Sequence, residues 1–355
     1  VPARRWVPEM QIGGTRIDAS SLAYVIAEIG VNHDGSIERA LSLTDAAADA
    51  GADAVKLQLF ETDRLMSRAA KLAAYQAAAG ETDPLAMLRR LELSIDEMAQ
   101  VVERAHARGV HAIVTVFSVG LVASAESLAW DAYKSASPDI VNRPLLEAMA
   151  GTGRPLIVST GASTIDEVTR AAGWLGAARA RLAFLQCVSS YPAPEPGFGG
   201  IGAIATATGL PVGYSDHTPG VETGAEAVSR GACVLEKHLT YDTRAAGPDH
   251  AASLEPRAFA EYVRRAKAAG RGAPGETGRK QLFDCERDVR AVSRQSVTTA
   301  GSLPAGHVLT SADLTIKRPG TGLEPWRLCE VLGRRLVRPV EADMPLCEAD
   351  LAGVE

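Results

Sequence analysis

The run Pro211-Val-Gly-Tyr-Ser-Asp-His217, the helix-like stretch Pro219–Arg230 and the run Cys233-Val-Leu-Glu-Lys-His-Leu239 together make one complete structural unit. Two short β-rich runs flank a segment of helical length with short links, so the strands run parallel and the helix crosses outside them. The unit recurs upstream. Further β-rich runs lie at Tyr24–Gly30, Ala54–Phe60, His111–Phe117, Ala132–Ser137, Pro155–Thr160 and Leu182–Val188. Helix-like stretches stand between them at Ser36–Ala50, Ser94–Arg108 and Thr164–Gly176, and the pairs Ser94/Glu97 and Thr164/Glu167 have the spacing of capping boxes. Eight such strands with no ninth predict an α/β fold of the closed (β/α)₈ TIM-barrel type.

Outside this alternation the chain changes character. Glu61–Leu93 is an Ala-rich, partly helical insertion after the second strand, which places it at the barrel mouth. After Ala269 the pattern stops, Arg271–Arg279 is rich in Gly, Pro and charge, and Asp284–Arg290 reads as a short polar helix. From Arg294 short runs are broken by Pro304, Gly306, Pro319, Gly320 and Gly322. The expected organisation is a barrel over 1–270, a linker over 271–293 and a compact domain over 294–355, which at this size leans on the barrel or on a second subunit.

Composition narrows the function. A net charge of −6 without any Lys/Arg run argues against nucleic acid, which needs a basic face. Five scattered cysteines without a CxxC pair read as reduced thiols rather than a disulfide frame. Val1–Gln11 lacks the apolar segment of a signal peptide, and no stretch approaches the roughly 20 apolar residues of a membrane span. A cytoplasmic protein is the expectation, and a small anionic substrate stays open because a few cations in one cleft can dominate the local field.

In a TIM barrel the chemistry sits at the C-terminal ends of the strands. Read in order, these ends offer Glu28, Lys56 with Gln58, Thr115, Lys134, Ser159 with Thr160, Gln186 with Ser189, Ser215 with His217, and Glu236 with His238. Strand alternation puts His217 with Ser215 and His238 with Glu236 on one face, leaving Asp216 and Lys237 on the other. Two imidazoles at equal height on adjacent strands suit one divalent ion, Mn²⁺ before Mg²⁺ or Co²⁺; each alone would read as a core hydrogen-bonding histidine. Inward Lys56 and Lys134, with the hydroxyls of Thr115, Ser137 and Ser189, suit an anion carrying phosphate and carboxylate. Salt bridges to Asp139 or Glu28 are the competing reading, and a Schiff-base lysine is another.

These residues resemble the sialic acid (N-acetylneuraminate) synthases and their nonulosonic acid relatives. The resemblance is carried by Ile26-Ala-Glu-Ile-Gly-Val-Asn-His33, Ala50-Gly-Ala-Asp-Ala-Val-Lys-Leu-Gln58, Leu91-Glu-Leu-Ser94, Ser159-Thr-Gly161, Ser215-Asp-His-Thr218, Leu235-Glu-Lys-His238 and Gly247-Pro-Asp249. Lys317-Arg-Pro-Gly-Thr-Gly322 is similar to the antifreeze-like (SAF) domain that ends this family. The resemblance implies metal-assisted condensation of phosphoenolpyruvate with an N-acylmannosamine-type or related aldose, giving a 2-keto-3-deoxy sugar acid and phosphate. It implies His217 and His238 as metal ligands, Lys56, Thr115, Lys134, Ser137, Ser189 and Ser215 around phosphoenolpyruvate, and Glu28, Gln58, Tyr191 and Asp249 on the sugar and metal side. Either Glu28 or Glu236 would be the general base. It further implies a domain-swapped homodimer in which Arg318 of one subunit reaches the partner's sugar. Ser189 stands where these enzymes usually carry Asn, Lys134-Ser-Ala-Ser-Pro-Asp139 replaces a Gly-Ser-Gly-Glu type stretch, and Thr115-Val-Phe117 lacks a Pro. The acceptor sugar therefore stays open. The rival functions are a class I aldolase or lyase using Lys134 or Lys56, and a non-catalytic carbohydrate-binding barrel.

Overall fold

The computed structural model describes residues 9–18, 20–273 and 278–353. Val1–Pro8 of the expected leaderless start, residues 274–277 of the expected linker and the last two residues lie outside the described residues.

Two strands, β1 (Glu9–Ile12) and β2 (Thr15–Asp18), form an antiparallel hairpin, a feature absent from the sequence reading. Its turn is Gly13-Gly14, with φ of 51° and 87°. A two-residue turn that follows the strand twist needs both central residues at positive φ, and a Gly pair meets that requirement without strain.

Eight parallel strands follow: β3 (Tyr24–Glu28), β4 (Ala54–Leu59), β5 (His111–Val116), β6 (Ala132–Ser135), β7 (Leu156–Ser159), β8 (Leu182–Cys187), β9 (Val212–Asp216) and β10 (Val234–His238). They close into a barrel, with β10 bonded to both β9 and β3. The TIM barrel read from the sequence is the fold observed. Among its helices, Ile95–Ala107 and Ile165–Trp174 are capped as expected by Ser94 with Glu97 and Thr164 with Glu167. Outward strand residues such as Val25, Val55, Val114 and Val158 pack against this helical layer.

The inward faces form two layers. Near the N-terminal ends stand Tyr24, Ile26, Ala54, Ile113, Ala132, Ile157 and Val234, and Met10, Ile12 and Ile17 of the hairpin pack onto them and seal that end. Two residues further along the same strands, the inward positions turn polar: Glu28, Lys56, Thr115, Lys134, Ser159 and Glu236, all buried. A period of two thus runs one face of each strand from oil at the floor to charge at the mouth.

Over the mouth lie the insertion, with short helices Thr62–Leu65, Ala74–Ala78 and Pro84–Arg89, and the C-terminal domain. The latter pairs β11 (Ser296–Thr299) with β12 (Leu314–Lys317) around Val297, Leu309, Leu323, Val331, Leu336 and Leu346. It docks on the insertion through backbone: the Arg318 N–H donates to the Leu65 carbonyl at 2.8 Å, and the Ser67 N–H to the Arg318 carbonyl at 3.0 Å.

Candidate active site

The barrel opens at its C-terminal end into a cavity of about 130 Å³. Every site residue named from the sequence lines it: Glu28, Lys56, Gln58, Thr115, Lys134, Ser137, Ser189, Tyr191, Ser215, His217, Glu236, His238, Asp249 and Arg318. Two other polar strand-end residues do not. Gln186 and Thr160 lie outside the cavity lining; Gln186 packs against Gly200 of the helix Gly199–Thr208, and Thr160 bonds the Leu185 carbonyl. The strand alternation explains this, since Cys187 holds the inward position of β8 and Ser159 that of β7.

The lysines of the cavity meet carboxylates as well as hydroxyls, and of the competing salt bridges the one to Glu28 is present. Lys56 Nζ is in direct contact with Glu28 Oε2, lies 3.8 Å from Glu236 Oε2 and donates to Thr115 Oγ1 at 3.0 Å. Lys134 Nζ sits 3.6 Å from Glu236 Oε1 and donates to Ser159 Oγ at 2.5 Å. Buried ammonium groups need counter-charge, and strand register supplies it, because Glu28 and Lys56 are direct neighbours across β3 and β4. The two acids differ. Burial raises the Glu28 carboxyl to about 7 despite Lys56, helped by the nearby Glu236. Burial opposes charge on Glu236 as well, but Lys134 and Lys56 together outweigh it and hold that carboxyl near 2. Burial draws Lys134 below the usual ammonium range, while Glu236 and Glu28 outweigh burial and lift Lys56 above it.

Across the cavity stand His217 and His238, ring centroids 5.5 Å apart, with Tyr191 4.1 Å from the His217 ring. His217 Nδ1 lies 2.7 Å from the Val188 carbonyl, which can only accept, so the lone pair of the neutral ring is on Nε2. His238 Nδ1 is buried with no hydrogen-bond partner and lies 3.7 Å from Asp249 Oδ2. Burial and the neighbouring His217 keep His238 well below the ordinary histidine range, hence neutral. Burial opposes charge on His217 too, but the neighbouring Cys187 and the Val188 carbonyl outweigh it and lift that ring above the ordinary histidine range. Two imidazoles, one with an orphaned nitrogen, are a donor pair suited, once deprotonated, to a divalent cation whose other positions go to water or substrate. Among the described residues no set of three or more His, Cys, Asp and Glu side chains has metal-holding spacing, so the protein's offer is these two rings.

At the rim, Arg318 stacks its guanidinium 5.5 Å from the Phe117 ring centroid. Burial pushes neighbouring Asp139 up to about 7 against the pull of Arg318 and Lys134. Asp249 rises to about 6 for the same reason, opposed by His217. The structure adds side chains that sequence reasoning missed. Tyr75 and Gln76 of the insertion and Val289 of the linker line the cavity. Lys280 buries an ammonium with no hydrogen-bond partner, its charge felt by Glu286 and Cys187. Only the Gly- and charge-rich texture around Lys280 was visible in sequence, and that texture reads as linker.

A closed barrel with buried lysines, acids and paired imidazoles at its one open end, overlaid by a small β-rich domain, is the build of a barrel enzyme with an appended domain. Comparison with known proteins refines this class. The chain belongs to the NeuB family, matched over residues 43–275, and its C-terminal part matches the SAF domain over residues 294–352. It is 35% identical over 350 residues to the N,N'-diacetyllegionaminic acid synthase of Legionella pneumophila, covering 95% of this chain and 97% of that one. It is 32% identical to the N-acetylneuraminate-9-phosphate synthase of Homo sapiens over 92% of this chain and 91% of that one. Among solved structures, the spore coat polysaccharide biosynthesis protein SpsE of Bacillus subtilis superposes with a TM-score of 0.83 at 28% identity, covering 98% of this chain and 100% of that one.

Proposed function

We propose that this protein condenses phosphoenolpyruvate with an N-acylmannosamine-type or related aldose, releasing phosphate and a 2-keto-3-deoxy sugar acid. The observation that carries the reading is that buried Lys56 and Lys134 share one cavity with the paired imidazoles of His217 and His238. The family and its synthase relatives support it.

Lys56, Lys134 and the hydroxyls of Thr115, Ser137, Ser159, Ser189 and Ser215 hold the carboxylate and phosphate of phosphoenolpyruvate, with Glu236 staying beside both lysines. Held so, its C3 faces the acceptor aldehyde and the encounter becomes effectively intramolecular. His217 and His238 would hold a divalent cation such as Mn²⁺, which when bound supplies Lewis-acid polarisation of the acceptor carbonyl. Gln58, Tyr191, Asp249 and Arg318 position the sugar. Positive character at C2 is then quenched by water and phosphate leaves. Of the two glutamates, Glu28 is the better proton acceptor, because Glu236 is pinned as a permanent anion between two lysines. Water exclusion falls to the insertion and to the C-terminal domain above the cavity.

The protein works, in this reading, in the cytoplasm as a homodimer, with five free cysteines in keeping with that compartment; no helix among the described residues is long and apolar enough to cross a membrane. One experiment tests the chemistry: phosphoenolpyruvate and Mn²⁺ are offered with a panel of aldoses and inorganic phosphate is measured. Phosphate release that a chelator abolishes is expected; absence of release with every aldose removes the reading. The burial-lowered ammonium of Lys134 favours one alternative, a Schiff-base aldolase. Covalent trapping of a keto substrate by borohydride, with chelator-resistant turnover, would establish it instead.

A further inference from the structure

In the segment that joins the two domains, Glu286 is buried as completely as any barrel residue, at 0% exposure. A buried carboxylate persists only where donors meet it. Its Oε1 accepts the Ala162 N–H at 2.6 Å and the Ser189 N–H at 2.7 Å, and its Oε2 accepts the Phe283 N–H at 3.0 Å. Ala162 follows β7 and Ser189 follows β8, both beyond the last ladder pairs Ser159–Leu185 and Cys187–Ser215. No strand partner therefore fixes these two loops at the point where they shape the cavity. Ala162 is also held at φ 51°, a left-handed conformation that alanine rarely adopts. Its carbonyl is gripped from the same segment, by Arg290 Nη1 at 2.6 Å and Arg294 Nη2 at 3.2 Å.

Of the loops so tied, the one after β8 carries the Ser189 hydroxyl, and the one after β7 holds the Ser137 hydroxyl, which comes from the turn after β6. The Gly161 N–H donates to Ser137 Oγ at 3.0 Å. A Cβ placed on Gly161 would stand 2.1 Å from Ser189 Oγ and 2.8 Å from Ser137 Oγ, a measure of how closely the loops converge. With its N–H taken by Glu286 on one side, Ser189 presents its hydroxyl to the other.

We propose that Glu286 is a positioning residue for the anion pocket: it bridges the β7 and β8 loops through their N–H groups and sets the spacing of the Ser137 and Ser189 hydroxyls. It lines no part of the cavity itself, and its charge is absorbed by three N–H donors and the nearby Lys280 ammonium. Removing it leaves two buried N–H groups unpaired and lets the loops separate. The inference rests on the reading of this pocket as the phosphoenolpyruvate site. On the acceptor side Gln58 belongs to β4, Asp249 to the segment after β10 and Arg318 to the C-terminal domain, with Tyr191 alone on the loop after β8, so the loss should fall mainly on phosphoenolpyruvate.

Calorimetric titration of phosphoenolpyruvate into the full chain, with KM for the acceptor and a melting curve, tests this. Glu286→Ala should weaken phosphoenolpyruvate by about tenfold or more and shift the acceptor KM by less than about twofold. Glu286→Gln keeps one carbonyl acceptor for both loops and should recover most of the affinity. Arg287→Ala, whose guanidinium pairs with the exposed Asp284, should leave it unchanged. If the alanine variant does not fold, Glu286→Asp, which withdraws the carboxylate by one methylene, must show the same selective loss. Wild-type affinity in folded Glu286→Ala, or equal losses for both substrates, overturns the positioning role. A wild-type chain that binds no phosphoenolpyruvate overturns the functional reading instead.

Discussion

At Lys56 three buried charges meet, and each constrains the others. Replacing it with alanine removes a charge from the reaction centre and strands Glu28 without its counter-ion. Lys56→Ala is expected to cut turnover by about 10²–10³ in a phosphate-release assay, as loss of an electrostatic stabiliser does. Glu28→Gln keeps the shape and the Gln58 contact but loses the proton acceptor, and should lower kcat by about 10² while phosphoenolpyruvate affinity stays close to wild type. The residue types were legible in the sequence because polar groups ended otherwise apolar strands. Glu28 was legible only as one of two competing salt-bridge partners, beside Asp139. The Glu28–Lys56 pair depends on register between strands, which one sequence does not state.

Among the elements, the segment 284–294 holds the barrel through Glu167, which takes Arg290 Nη2 and Arg294 Nη1 each at 2.7 Å. Burial opposes charge on Glu167, but the two arginines outweigh it and place its carboxyl far below the ordinary range. A depressed folded-state value means the stabilisation is complete above the unfolded-state carboxyl range and drains away as pH falls below about 4.5. Glu167→Gln should cost about 3 kcal/mol near neutrality and flatten this acid limb, read from melting temperature against pH. The helix carrying Glu167 was legible from its capping box, whereas its arginine partners, more than a hundred residues on, belong to tertiary contact. The hairpin β1–β2 carried a signal in Ile12-Gly-Gly-Thr15, a Gly pair between β-branched residues, masked by the charged start around it. Ile12→Ala, at a fully buried position, should cost about 2–4 kcal/mol in denaturant unfolding and leave kinetic constants unaltered.

For the whole molecule, the contact that brings Arg318 to the mouth is made within the chain, and the homodimer proposed above would make the same contact between two chains. A mixture of the Lys56→Ala and Arg318→Ala variants separates the two. With exchanged domains, half the sites of each heterodimer are whole, and about a quarter of wild-type activity should return on mixing; no return assigns the site to one chain. The sealed floor has its own consequence. Met10, Ile12 and Ile17 close the far end, so the vestibule is a cul-de-sac, and whatever arrives first at the lysines must stay until later arrivals have gone. Initial-rate and product-inhibition patterns should then be ordered, with phosphoenolpyruvate entering ahead of the sugar and phosphate departing last.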